Sequence, residues 1–196
     1  MSKTRRFMLL SSLALLALAG CSISPTKEAS PQRFELNVPA AASPAALPIA
    51  DISLRAPSWL ETSQMGYRLR YAKASRREVY ARSRWVASPA ELVMVGLKRG
   101  LPQSGQGGCR LRVELDEFVQ DFSSANESVG RIEARVRLMV PKGEGPVRRF
   151  EVVASAGFAD AEGGAEALNE AMQKWLGELR TWLGQEAKTL AGACKA

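Results

Sequence analysis

Residues 109–122 read CRLRVELDEFVQDF, and residues 131–140 read RIEARVRLMV. In the first stretch Cys109, Leu111, Val113 and Leu115 alternate with Arg110, Arg112 and Glu114. In the second, Ile132, Ala134, Val136, Leu138 and Val140 alternate with Arg131, Glu133, Arg135 and Arg137. Successive side chains of a strand point to opposite faces, so each stretch predicts a strand with one buried and one wet face. The phase of the first stretch slips near Asp116-Glu117, after which Phe118 and Phe122 become the regular apolar positions. One extra residue there, a β-bulge, accounts for the slip. A third strand carries Phe150, Val152, Ala154 and Ala156. With turns at Ser124–Glu127 and Lys142–Pro146, the three form an antiparallel meander.

Working outward, Phe34, Leu36 and Val38 alternate with Glu35 and Asn37, and Leu47 to Leu54 reads as a second strand that Pro57 breaks. Tyr67, Leu69 and Tyr71 alternate with Arg68 and Arg70, and Val79 and Ala81 with Glu78, Tyr80 and Arg82. The segment Lys73 to Arg76 joins them as a hairpin or sheet pair. Ser88-Pro89-Ala90-Glu91 has capping-box spacing with Pro at the first helical position, and predicts a helix from Pro89 to Arg99. Residues 103–108 read as a Gly/Gln/Ser turn. Leu168, Met172, Trp175, Leu176, Leu179, Trp182, Leu183 and Leu190 recur at three and four spacing and predict a long helix from Gly164 to Ala191, ended by Gly192. The expected fold is α+β in a single domain: an antiparallel-dominated sheet with two main helices packed on one face.

The chain has 196 residues, a net charge of +7, three Cys and no His. Without His there is no Ser-His-Asp triad, no Cys-His dyad and no His-ligated metal. Lys3, Arg5 and Arg6 precede an apolar run from Phe7 to Leu18. That run is shorter than the ~20 residues a bilayer span needs, and it fits a cleaved signal peptide over residues 1–20. It ends in Leu18-Ala19-Gly20-Cys21, which resembles the bacterial lipobox: small residues fit the peptidase cleft, and the Cys21 thiol accepts a diacylglyceryl group. Two or more acyl chains anchor a protein stably. Ser22, not Asp, follows, which favours the periplasmic leaflet of the outer membrane.

Residues 21–32 hold the lipidated Cys and a tether rich in Ser and Pro, with ~20 Å of reach by coil statistics. The domain spans residues 33–196. Removal of the leader leaves 24 basic against 20 acidic residues, so a nucleic-acid partner loses its electrostatic basis. Two cysteines remain, Cys109 and Cys194. A disulfide between them suits an oxidising periplasm, two separate buried thiols being the alternative.

The search for chemistry returns little. Ser24-Pro25-Thr26-Lys27 matches S-x-x-K but lies in the tether, and Gly105-Gln106-Gly107-Gly108 lacks dinucleotide-loop spacing. Asp116, Glu117 and Asp121 cluster in one strand region, and a hydrolase using Asp116 and Asp121 is the least favoured reading. No cofactor or metal is expected. The wet face of the meander carries Arg110, Arg112, Arg131, Arg135 and Arg137, interrupted by Glu114 and Glu133. Cross-strand pairing is one reading; a contact surface for an acidic partner or phosphate headgroups is the other. Trp175 and Trp182 belong to the core by their helical period. Trp59 lies in the Pro57-broken loop with Leu60 and Met65, where core packing and an exposed contact role both stand.

Taken together, the lipobox, Phe34-x-Leu36, Pro57 with Trp59-Leu60, the Tyr67–Tyr71 strand, Tyr80, Arg84-Trp85, Pro89, Leu92, Leu97, Leu101, the Cys109-x-Leu-x-Val strand, Phe118, Phe122 and a Trp-bearing last helix resemble the ABC-type transport auxiliary lipoproteins of MCE (mammalian cell entry) systems, of which the paraquat-inducible operon lipoprotein is one kind. The likeness runs from about Arg33 to Leu183. The family's first aromatic is commonly Tyr, whereas Phe34 lacks the hydroxyl. The resemblance implies a non-enzymatic outer-membrane subunit that docks a periplasmic MCE-domain protein and, through it, an inner-membrane permease and ATPase moving lipid or other apolar cargo. The candidate contact residues are Trp59, Arg131, Arg135 and Arg137. A structural lipoprotein of outer-membrane protein or lipopolysaccharide assembly is the alternative. The tether leaves room for a homo-oligomer.

Overall fold

The structure, a computed structural model, describes residues 30–41, 49–101, 103, 108–141 and 143–194. The leader, Cys21, the tether before Ser30, the S-x-x-K segment, most of the Pro/Ala loop and most of the 103–108 turn lie outside the described residues. The meander forms as its pattern requires. Strand β5 runs Cys109–Phe122, β6 Ser128–Val140 and β7 Gly143–Ser155, with antiparallel ladders β5–β6 and β6–β7. The β5 register shifts between Leu115 and Glu117, so the bulge is real. The expected turn at Lys142–Pro146 is shorter: β7 already starts at Gly143.

Four more strands complete the sheet: β1 Gln32–Phe34, β2 Ile49–Arg55, β3 Gln64–Leu69 and β4 Arg77–Trp85. The order is β1-β4-β3-β5-β6-β7, with β2 also pairing β5. The antiparallel-dominated sheet expected from the sequence is therefore corrected to a mixed one. β1–β4, β2–β5 and β3–β5 are parallel, whereas β3–β4 and the two meander ladders are antiparallel. Alternation identifies a strand but not its neighbour, and β5 is long enough to take β2 along its first half and β3 along its second.

The helices are also more numerous than the two expected. A 3-10 turn spans Ser58–Leu60, and a one-turn helix, α1 Arg70–Lys73, ends the β3 strand at Leu69 before the Tyr71 position. Helix α2 spans Pro89–Gly100, with Ser88 Oγ accepting from Glu91 N and the Glu91 carboxylate accepting from Ser88 N, each at 3.2 Å. This reciprocal cap satisfies two otherwise orphan donors. Helix α3 spans Ala161–Cys194 and is about 50 Å long. It begins three residues earlier than its apolar period indicates, because Asp160 caps it and Gly164 lies flush against Gln120, where a Cβ would sit 2.0 Å from Oε1. It also runs through Gly192 to Cys194.

Both long helices cover the same sheet face. Leu111, Val113, Phe118, Ile132, Val136, Phe150 and Val152 meet Leu97, Leu168, Met172, Trp175, Leu179 and Trp182 in one buried cluster. The α3 backbone approaches β6 so closely at Gly130 that a Cβ there would meet Ala167 C and Leu168 N at 2.6 Å. Cys109 and Cys194 are bridged, with an S–S distance of 2.02 Å, tying the end of α3 to the first residue of β5.

Candidate functional site: the open face of the sheet

The face opposite the two long helices owes its character to the β5 bulge. Before it, even-numbered Arg110, Arg112 and Glu114 point away from the helices, and odd-numbered residues face them. The extra residue reverses this parity. Phe118 stays in the core, while Glu117, Val119 and Asp121 turn to the open face, beside Arg131 and Glu133 of β6. The parallel β3–β5 ladder sets Arg68 directly opposite Asp121, and the β3–β4 hairpin sets Arg77 opposite Arg68. Like charges opposite one another are unfavourable. Here the Glu117 carboxylate lies against both guanidinium groups.

Asp121 is 3% exposed. It accepts from Arg68 Nε at 2.8 Å and Arg68 Nη2 at 3.2 Å, and from Arg131 Nε at 2.8 Å, and it pairs with Arg70 Nε at 3.0 Å. Glu117 accepts from Arg77 Nη2 at 2.6 Å and lies 3.3 Å from Arg68 Nη1. Arg131 also reaches Glu151 and, at 3.8 Å, Glu133. Burial disfavours the Arg68 cation, but the hydrogen bond to Asp121 and the negative potentials of Glu117, Asp121 and Glu133 outweigh it, so its pKa is held above the ordinary value.

Trp59 is attached to this lattice. The Arg77 guanidinium lies over its ring, 5.7 Å from the centroid, and the indole is 51% exposed while Leu60 and Met65 are buried. Core packing is thus excluded for Trp59. Further along the face, Arg135 binds Asp116 through Nε and Nη2, each at 3.2 Å, and Glu114 at 3.2 Å. The bonds to Asp116 and the charges of Asp116 and Glu114 raise the Arg135 pKa. Arg137 donates to Glu144 at 2.7 Å and sits opposite Arg112 across the ladder. Arg112, Glu114, Arg135, Arg137 and Val147 line a small depression of about 60 Å³.

The four candidate contact residues therefore share one face but differ in kind. Trp59 is open to solvent, Arg135 and Arg137 are partly exposed within ion pairs, and Arg131 is largely enclosed as a cross-link of the lattice. The sequence pattern alone does not mark Arg68, Arg70 and Arg77 as site residues, although Arg68 lies in a strand whose neighbour carries Glu117 and Asp121. Asp116 and Asp121 are both engaged by arginines, and among the described residues no group of three His, Cys, Asp or Glu side chains is placed to hold a metal.

A second recess, about 440 Å³ and wide open, lies between β1, β4 and the start of α3. Tyr80 lines it and donates to Gln120 Oε1 at 2.8 Å, while Gln120 Nε2 donates to Ser128 Oγ at 2.8 Å and to the Asp160 carbonyl at 3.0 Å. Burial, with smaller contributions from Tyr67 and Asp160, pushes the Tyr80 phenol above its ordinary pKa.

No family model matches the chain, and no curated protein matches it. The fold does have solved counterparts. A crystal structure of a Xanthomonas campestris protein, described by family-model DUF330, superposes with a TM-score of 0.66 at 15% identity, covering 80% of this chain and 99% of that one. A crystal structure of an uncharacterized protein superposes with a TM-score of 0.62 at 11% identity, covering 81% and 99%. At such identities the likeness establishes a shared fold and nothing about activity. No helix of the described residues is long and apolar enough to cross a membrane.

Proposed function

We propose that this chain is a lipid-anchored, non-enzymatic docking subunit of an MCE-type ABC transport system, held on the periplasmic face of the outer membrane through Cys21. The observation that carries the docking reading is the open sheet face. A pre-ordered lattice of Arg68, Arg70, Arg77 and Arg131 around buried Glu117 and Asp121 supports an exposed Trp59. Trp and Arg are the residue types that dominate binding energy at interfaces, and fixed side chains lose little entropy on association. The choice of an MCE-domain partner is supported by the resemblance centred on Trp85, Pro89 and Leu92, and the anchor by the lipobox. The partner in turn engages the permease and the ATPase; this chain has no phosphate-binding loop of its own.

The test is affinity isolation of the tagged full chain from detergent-solubilised envelopes of its own organism, with intact-mass analysis. The expected result is a chain that starts at an acylated Cys21 and co-isolates an MCE-domain protein. Recovery of outer-membrane assembly factors alone, or a chain that retains its leader, contradicts the proposal.

A further inference from the structure

Strand β7 closes one side of the sheet and pairs only with β6 among the described residues. Its outer backbone groups over residues 147–155 form a row about 30 Å long beside which no strand lies among the described residues. Edge strands of this length are usually guarded by Pro or by charge. Pro146 guards only the entry, and the charges further on are arranged differently from a guard. On the open face the strand presents Val147, Arg149, Glu151 and Val153 in order. Val147 is 48% and Val153 43% exposed, and the Arg149 and Glu151 side chains are 66% and 59% exposed.

That order is complementary to its own reverse. We propose that the β7 edge binds the β7 edge of a second copy of this chain, antiparallel and centred on Phe150. In that register Val147 of one copy lies opposite Val153 of the other, and Arg149 lies opposite Glu151, each pair occurring twice. On the helix side Phe150 meets Phe150, and the Arg148 stem lies beside Val152. Side chains keep their faces only in registers displaced by whole residues of the two-fold, so the competitors are few. Centring on Arg149 sets Arg149 against Arg149, and centring on Glu151 sets Glu151 against Glu151. Like charges directly opposite are unfavourable, centring on Val152 sets Arg149 against Ser155 and Glu151 against Val153, and of these registers only the one centred on Phe150 sets opposite charges together. The two-fold axis is normal to the sheet, so the two sheets fuse into one and both open faces point the same way. A pair of copies then offers two docking faces side by side, a multivalent arrangement. This inference rests on the edge and stands whether or not the partner reading holds.

The test uses the full chain in detergent. Copies bearing Val147→Cys are mixed with copies bearing Val153→Cys and oxidised. The expected result is a cross-linked dimer in the mixture and none from either variant alone, because like positions lie about 20 Å apart in this register, beyond disulfide reach. Arg149→Glu and Glu151→Arg are each expected to weaken the dimer at least tenfold in sedimentation velocity, and an equimolar mixture of the two variants, which again sets opposite charges together across the edge, to restore it. A monomeric sedimenting mass with no mixed cross-link overturns the proposal. So does equal cross-linking of the single variants, which would mean a different register or random collision.

Discussion

Replacing Asp121 by Asn tests whether the open-face lattice holds the domain together. The side chain is 2% exposed and bridges β3, α1 and β6 through Arg68, Arg70 and Arg131. The substitution keeps the shape but removes the charge. Arg68 and Arg131, with side chains only 18% and 16% exposed, then lose the carboxylate they share; Arg68 keeps Glu117 at 3.3 Å, and Arg131 keeps Glu151 and, at 3.8 Å, Glu133. Breaking a buried pair by removing one partner costs about 3–5 kcal/mol, since the stranded charge cannot return to water. A domain of this size has about 5–15 kcal/mol to lose. Urea unfolding followed by tryptophan fluorescence is expected to show a loss of at least about 3 kcal/mol with unchanged m. Glu151→Gln, at the exposed end of the same lattice, should lose less than about 1 kcal/mol. Adding Arg68→Met to Asp121→Asn should recover part of the loss, giving a coupling above about 1 kcal/mol. An Asp121→Asn chain within about 1 kcal/mol of the parent refutes the reasoning.

Three further outcomes follow from other parts of the fold. Tyr80→Phe leaves Gln120 Oε1 without its donor and should cost about 1–3 kcal/mol at neutral pH. Because the folded-state Tyr80 pKa is raised, the unfolded chain loses that proton first as pH climbs past about 10. Stability present below that pH is then lost, by at most about 1.4 kcal/mol per unit and less for a half-buried ring, and urea midpoints between pH 8 and 11.5 should fall more steeply for the parent than for Tyr80→Phe. Cys194→Ser opens a bridge spanning 85 residues and should lower stability by about 4–5 kcal/mol in a chain-entropy account, with amide exchange quickening first in the last turns of α3. Gly130→Ala forces a Cβ into the α3 backbone and should cost at least about 2 kcal/mol by thermal melting, with α3 the element that shifts.

What the sequence makes legible here is whatever has a short period. The meander, the bulge at Asp116-Glu117 and the capped helix at Ser88 all appear as local patterns, and the structure has them where the patterns lie. The parallel ladders are not local. Nothing in the residues of β2 or β3 records that both will lie along β5, because alternation is the same whichever strand lies alongside. The same gap hides half of the open-face site. Arg131, Arg135 and Arg137 show themselves within the meander, but Arg68 and Arg77 matter only once β3 and β4 are placed beside the reversed half of β5. Trp59 reads ambiguously in sequence because its neighbours Leu60 and Met65 are core residues; the Arg77 guanidinium over its ring accounts for an indole left facing solvent.

The most direct measurement of the docking account replaces Trp59 with a photo-crosslinking phenylalanine in the full chain and irradiates intact cells. Val95, 50% exposed on α2 in the helix layer, serves as the control position. The account predicts a cross-link from position 59, but not from position 95, to an MCE-domain protein. Cross-links from position 59 to outer-membrane assembly factors only, or the same products from both positions, would contradict it.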